Sequence, residues 1–170
     1  NKMGYTSVTL LDKKNAQCYV LENDECIVLA FRGTELDETK DIVADLKLFK
    51  TRSKTKGNVH EGFYDETTSL WPQIEQHVNA PDSKRKKIWV CGHSLGAAMA
   101  QIAASRLSGR IAECFTYGSP RVGNSRWTKA QHFRHFRYVN NNDIVPKVPP
   151  SWLRFSHGGQ LLYINYYGNI

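Results

Sequence analysis

Apolar residues in this chain fall in short runs between polar turns, and the runs alternate between a two-residue and a three-to-four-residue spacing. Residues 16–21 and 26–31 are rich in Val, Ile and Tyr and read as strands. The polar Glu22-Asn23-Asp24-Glu25 between them reads as a hairpin turn. Residues 39–48 place Ile42, Val43 and Leu46 at helical spacing and predict a short helix. A polar, basic loop follows to Gly57. Residues 61–78 predict a helix with Phe63, Leu70, Ile74 and Val78 on or near one face, bent or started by Pro72. Residues 87–91 form a short apolar run of strand type. Residues 94–107 are dense in Ala with apolar spacing throughout and give the clearest helix. Two further strands are expected at 111–117 and 136–140, a short helix at 124–131 and a late strand at 161–166.

Strands alternating with helices predict an α/β fold: a mostly parallel central sheet with helices on both faces, the first hairpin adding an antiparallel edge. The 170 residues suit one domain, residues 1–170, with a single core. In such sheets ligands bind outside the carboxyl ends of the strands.

Composition narrows the class. With 41% hydrophobic and 23% charged residues the chain has enough apolar surface for a core, which excludes a disordered segment. No apolar run approaches the ~20 residues of a membrane helix, and residues 1–11 lack the pattern of a secretory signal. The net charge is +7, much of it in Lys47, Lys50, Arg52, Lys54 and Lys56 and in residues 84–87. Solvated loops account for both clusters; peripheral contact with an anionic lipid surface is the sharper alternative. No recognition motif accompanies the charge, so nucleic acid is not expected as a partner. Cys18, Cys26, Cys91 and Cys114 form no C-x-x-C pair, and no metal or cofactor is expected. Cys18 and Cys26 flank a turn and are open to a hairpin disulfide; Cys91 and Cys114 read as buried thiols.

Chemistry concentrates in three places. Gly92-His93-Ser94-Leu95-Gly96 fits G-x-S-x-G, directly after a strand and before a helix. That context is what a nucleophilic serine on a sharp strand-to-helix turn requires. A serine hydroxyl needs a base, and the base needs a carboxylate to orient it. On hydrolase folds of this type the chain order is Ser, acid, His. Downstream of Ser94 stand two carboxylates: Glu113, inside a strand, and Asp143, in the loop after residues 136–140. Asp143 is the candidate acid. After it the remaining histidine is His157, the candidate base. His132 and His135 read as surface residues and His93 as a packing residue.

Together these pieces resemble the class 3 lipase family, typified by filamentous-fungal triacylglycerol lipases. Phe31-Arg32-Gly33-Thr34 resembles the FRG[ST] motif and His60-Glu61-Gly62-Phe63 the HxGF motif. Residues 116–124, TYGSPRVGN, and 140–150, NNNDIVPKVPP, resemble the family's later segments. The likeness runs from about residue 17 to 163. It implies an α/β-hydrolase fold, Ser94 as nucleophile, Asp143 as acid and His157 as base. It implies an oxyanion hole from the backbone N–H of Leu95 and that of Thr34, and a structural role for His60. It also implies a lid at residues 35–45. Here that segment is acidic, with Glu35, Asp37, Glu38, Asp41 and Asp45 against few apolar residues, so little interfacial activation is expected. The N-terminal helices usual in the family are missing, and a dimer or a flanking segment is one way to cover the sheet.

The expected function is carboxylic-ester hydrolysis through an acyl-enzyme, with acylglycerols or related lipid esters as substrate. Phospholipid acyl-chain (A1-type) cleavage and a soluble or phenolic-ester esterase are the alternatives. A catalytically silent hydrolase fold used for binding is the non-enzymatic one.

Overall fold

The computed structural model describes residues 4–13, 16–33 and 49–170. Strands β1 (Ser7–Lys13), β2 (Ala16–Glu22) and β3 (Cys26–Phe31) form an antiparallel meander. The expected turn between β2 and β3 is present. The Asn23 Oδ1 accepts the backbone N–H groups of Glu25 and Cys26 at 3.0 and 2.9 Å, a side-chain-closed turn typical of Asn. β3 then pairs in parallel with β6 (Lys87–His93), followed by β7 (Ile111–Tyr117), β8 (Arg134–Asn140) and β9 (Gln160–Ile164). The sheet order is β1-β2-β3-β6-β7-β8-β9. β1 carries one buried residue, Leu11, and so has little of the apolar alternation that marks the other strands. A separate hairpin of β4 (Lys50–Arg52) and β5 (Asn58–His60) occupies what reads as a basic loop.

Helix α1 (Glu61–Val78) has the predicted bounds, and α2 (Leu95–Arg106) follows β6. A four-residue helix, α3 (Ser125–Thr128), is the ordered part of the expected 124–131 helix. α1 starts at His60, whose Nδ1 accepts the Phe63 N–H at 3.4 Å while the two rings stack at 4.1 Å. His60 therefore caps α1, a structural position of the kind the resemblance implied for it without specifying a cap.

Alternation along the strands fixes the core. Cys18 and Val20 of β2, Ile27, Leu29 and Phe31 of β3, Ile88 and Val90 of β6 and Cys114 of β7 point to one face. There they meet Leu70, Ile74 and Val78 of α1 and Met99, Ala100, Ala103 and Ala104 of α2 in one buried cluster. Burying each large side chain contributes about 1.5–3 kcal/mol.

The fold is thus the expected α/β class, a mostly parallel central sheet with helices packed on it. Among the described residues both long helices lie on the same face, where the sequence reading had placed helices on each. The other face stays half-open: Trp89, Phe115, Phe136 and Tyr138 are half-buried, and Tyr19 and Tyr117 are exposed. Aromatic pairs across neighbouring strands give that face its order, Phe115 with Phe136 at 5.5 Å and Tyr117 with Tyr138 at 5.0 Å. All four cysteines are free thiols. Cys18 faces the core opposite Phe31 in the β2–β3 register and Cys26 opens β3, so the two are not cross-strand partners.

Candidate active site

β6 delivers Ser94 to the carboxyl end of the sheet, and α2 begins at the next residue. The turn is sharp. Ser94 has φ 52° and ψ −123°, a strained conformation for a residue with a Cβ. Such strain costs on the order of 1–3 kcal/mol and persists where its surroundings over-determine it. Hydrogen bonds hold it here: the Ser94 N–H donates to the Tyr117 carbonyl at 3.0 Å, and the Ser94 carbonyl accepts from the Ala97 N–H at 3.0 Å.

Two glycines make the turn sterically feasible. A Cβ on Gly92 would fall on the Gly96 carbonyl and 2.8 Å from the Ala97 nitrogen. A Cβ on Gly96 would strike the backbone of Phe31 and Arg32, at the end of β3. The close approach continues up α2, where Ala97, Ala98, Ala100, Ala103 and Ala104 have no exposed surface. Ser94 itself is 4% exposed and its side chain makes no capping bond. The Leu95 N–H, at the positive end of the α2 dipole, is not used by any backbone acceptor of the described chain. Gly33 comes alongside: a Cβ there would lie 3.5 Å from the Ser94 Cβ. Thr34, the second expected oxyanion donor, and the acidic 35–45 segment lie outside the described residues.

The acid candidate arrives on the neighbouring strands. β8 ends at Asn140, and the Asp143 N–H donates back to the Asn140 carbonyl at 2.8 Å. The Asp143 Oδ1 accepts the Val145 N–H at 2.9 Å, which fixes the carboxylate. Its Oδ2 lies 2.6 Å from the point a Cβ on Gly118 would occupy. Gly118 has φ 54°, so glycine is required twice over: for the backbone and for the acid's approach. The Gly118 N–H donates to the Tyr138 carbonyl at 3.0 Å, and the preceding residue, Tyr117, holds the Ser94 N–H. Ser94 and Asp143 are thus set against adjacent residues of one chain segment. A cavity of about 490 Å³ opens beside Asp143, walled by His93, Tyr117, Gly118, Tyr138 and Asn140. Glu113 is held elsewhere, 2.8 Å from Arg134.

His157, the candidate base, is not brought to this cavity. Its Nε2 is 2.8 Å from the Pro146 carbonyl oxygen and therefore donates to it. The ring lies over β8 on the helix-bearing side, near His135 and Arg137, and no hydrogen bond joins it to Asp143 or Ser94. The strict Ser, acid, His order pointed to the last histidine of the sequence but carried no information about which face of β8 that loop crosses. The readings of two other histidines are corrected. His135 is buried and pairs its Nε2 with the Thr116 Oγ1 at 2.8 Å. His93 is exposed on the cavity wall instead of packed. Gly118 was missed because a glycine in a Gly-Ser-Pro turn reads as ordinary loop chemistry. Buried Gln101, whose Nε2 donates to the Ser119 Oγ at 2.6 Å, stiffens the same segment from α2.

Burial pushes the imidazoles of His135 and His157 down to about 4, with the positive charge of Arg137 adding to the effect in both. Each is a base that binds its proton less readily folded than unfolded. The stability this represents is complete above pH 6.5 and is lost as pH falls from 6.5 towards 4. We expect a loss of roughly 2–3 kcal/mol for each histidine, read as a lower urea midpoint at pH 4.5 than at pH 7 in chloride buffer. Equal midpoints would contradict the neutral assignment.

Residues 28–152 match the family model described as Lipase (class 3). The chain belongs to the class 3 lipase family. It is 34% identical over 172 residues to a lipase of Rhizopus niveus, with 91% of this chain and 42% of that protein covered. It is 28% identical over 187 residues to the toxin TseL of Vibrio cholerae, covering 84% of this chain and 29% of that one. Lipase II from Rhizopus niveus superposes with a TM-score of 0.79 at 28% identity, over 93% of this chain and 66% of that structure. The triacylglyceride lipase of Rhizomucor miehei superposes at 0.82 with 24% identity, over 96% and 67%, which supports the α/β-hydrolase fold. The chain spans less than half the length of the curated relatives it matches.

Proposed function

We propose that this class 3 lipase family member is a serine carboxylic-ester hydrolase acting on acylglycerols or related lipid esters through an acyl-enzyme. The observation that carries the reading is the elbow: a strained Ser94 at a strand-to-helix turn, with the Leu95 N–H beside it bonded to no backbone acceptor among the described residues. Family relatives include secreted mono- and diacylglycerol lipases of Fusarium solani and Penicillium cyclopium. One structural neighbour, at 25% identity, is a triacylglycerol lipase described as having a serine-protease triad as its catalytic centre.

In this reading the Ser94 Oγ attacks the ester carbonyl as its proton passes to a base. Negative charge builds on the carbonyl oxygen, and the Leu95 N–H, with that of Thr34, donates to it. Each such fixed donor typically lowers the barrier by ~3–4 kcal/mol. The alcohol leaves with the proton, and water then releases the acid by the reverse sequence. Asp143 orients the base and stabilises its positive charge. The cavity beside Asp143, about 490 Å³, has room for an imidazole, and the observed position of His157 is outside it.

A p-nitrophenyl ester series of rising chain length tests the reading. Hydrolysis with an optimum at medium or long acyl chains is expected, and no hydrolysis of any ester would overturn it. His157→Gln is expected to keep activity within about tenfold, because the ring's bond goes to Pro146 and not to the acid. A loss as deep as that of a nucleophile variant would restore His157 as the base.

A further inference from the structure

Three chain segments far apart in sequence meet at Gly123. Its backbone bridges Val59 of β5 and Ser156, with the Ser156 N–H donating to the Gly123 carbonyl at 2.8 Å and the Asn124 N–H to the Asn58 carbonyl at 2.9 Å. Each segment gives one basic residue to a single cavity of about 470 Å³: Lys50 from the β4–β5 hairpin, Arg126 from α3 and Arg154 from the loop before β9. The rest of the wall is Asn and Ser, and no carboxylate lines it. Lys50 is fixed on both sides of Arg154: its Nζ donates to the Leu153 carbonyl and lies 4.4 Å from the centre of the Phe155 ring. Arg126 and Arg154 are exposed, and neither guanidinium has a hydrogen bond or ion pair among the described residues. Arg154 also has φ 60° and ψ 31°, the left-handed conformation in which helical turns usually end on Gly or Asn. A long cationic side chain thus occupies a position that the backbone would assign to glycine.

Three cations around one cavity, with amide and hydroxyl side chains between them and no counter-charge, match the chemistry of a phosphate. Guanidinium forks donate in pairs to its oxygens, and an ammonium adds charge. The volume lies in the range of small-molecule sites and exceeds that of a bare phosphate, so the phosphate is carried on a larger polar group. We propose that the cavity lined by Lys50, Arg126 and Arg154 binds a phosphate ester, either the headgroup of an anionic phospholipid or a soluble organic phosphate. The site shares no residue with the cavity beside Asp143, so it does not rest on the ester-hydrolase reading. Its apolar rim suits the lipid source. Phe49 adjoins Lys50 and Trp152 stands two residues before Arg154, and they are 65% and 76% exposed. Exposed aromatic residues beside clustered basic ones fit an anionic membrane interface.

The test adds glycerol phosphate to the intact chain, against chloride at matched ionic strength, and follows the backbone amide resonances of Asn58, Asn124, Ser125 and Ser156. Cosedimentation with phosphatidylcholine vesicles, with and without phosphatidylglycerol, is the second readout. Saturable shifts at these amides are expected with glycerol phosphate. Vesicle binding that requires phosphatidylglycerol and is competed by glycerol phosphate marks the lipid headgroup as the source; saturable shifts without vesicle binding mark a soluble phosphate ester. Arg154→Gly is the decisive variant. Glycine suits the left-handed turn, so the fold and Tm are expected to hold, while affinity for the phosphate falls roughly tenfold or more. Lys84→Gln makes the same charge change at an exposed residue outside the cavity and is expected to leave affinity within about twofold. Hydrolysis of a p-nitrophenyl ester is expected to be unchanged in Arg154→Gly, so failure of this proposal leaves the ester-hydrolase reading standing. No saturable response to either probe in the parent chain, or an equal weakening by Lys84→Gln and Arg154→Gly, overturns the proposal.

Discussion

Ser94→Ala is expected to lower kcat/KM towards a p-nitrophenyl ester by about 10⁴-fold or more while leaving the fold intact. The expected loss is large because one atom supplies the whole covalent route. Without the Oγ no acyl-enzyme forms, and what remains is the acceleration that the Leu95 donor and substrate binding give to direct attack by water. The fold should survive because the elbow is held through the backbone. The Ser94 N–H and carbonyl are bonded to Tyr117 and Ala97, while the side chain makes no capping bond. Circular dichroism and Tm within a few degrees of the parent would show that the loss is chemical. Hydrolysis by the variant at a rate near the parent's would place the reaction elsewhere.

Asp143→Asn is expected to cost about 10⁴-fold in kcat, with a smaller change in KM. The amide keeps the shape and can still accept the Val145 N–H that fixes the loop. What it loses is the negative charge that sets the base's tautomer and stabilises its protonated form. Gly118→Ala tests the same assignment from the geometric side. A Cβ at 118 would sit 2.6 Å from the Asp143 Oδ2, in a backbone conformation that disfavours any side chain. It should displace the carboxylate and lower kcat without altering the charge. A kcat fall in Asp143→Asn together with full activity in Gly118→Ala would mean that Asp143 acts through the loop and not from its observed position.

The elements legible in the sequence are those whose side chains report burial directly. α1 has its predicted bounds because Leu70, Ile74 and Val78 recur at helical spacing against the sheet. The elbow was legible because its chemistry requires small residues at fixed offsets from the serine, and contacts at Gly92 and Gly96 show why. β1 was not legible, since most of its residues face solvent at the sheet edge and leave no apolar alternation. Nor was the β4–β5 hairpin, whose three-residue strands are mostly polar. Chain order singled out Asp143, which lies just past the end of β8, and His157, which lies away from the cavity beside Asp143. Arg137 illustrates a different gap. Its position on β8 is readable, but that its Nε is buried without a hydrogen-bond partner is a property of the packed neighbourhood.

The central claim is that Ser94 is an activated nucleophile, and covalent labelling tests it most directly. The chain is incubated with an alkyl phosphonate ester that mimics the tetrahedral intermediate, then analysed by intact mass and peptide mapping. The account predicts a single adduct on the peptide that contains Ser94, none in Ser94→Ala, and slowed labelling in Asp143→Asn. No adduct on the folded parent chain, or an adduct on a different residue that persists in Ser94→Ala, would contradict it.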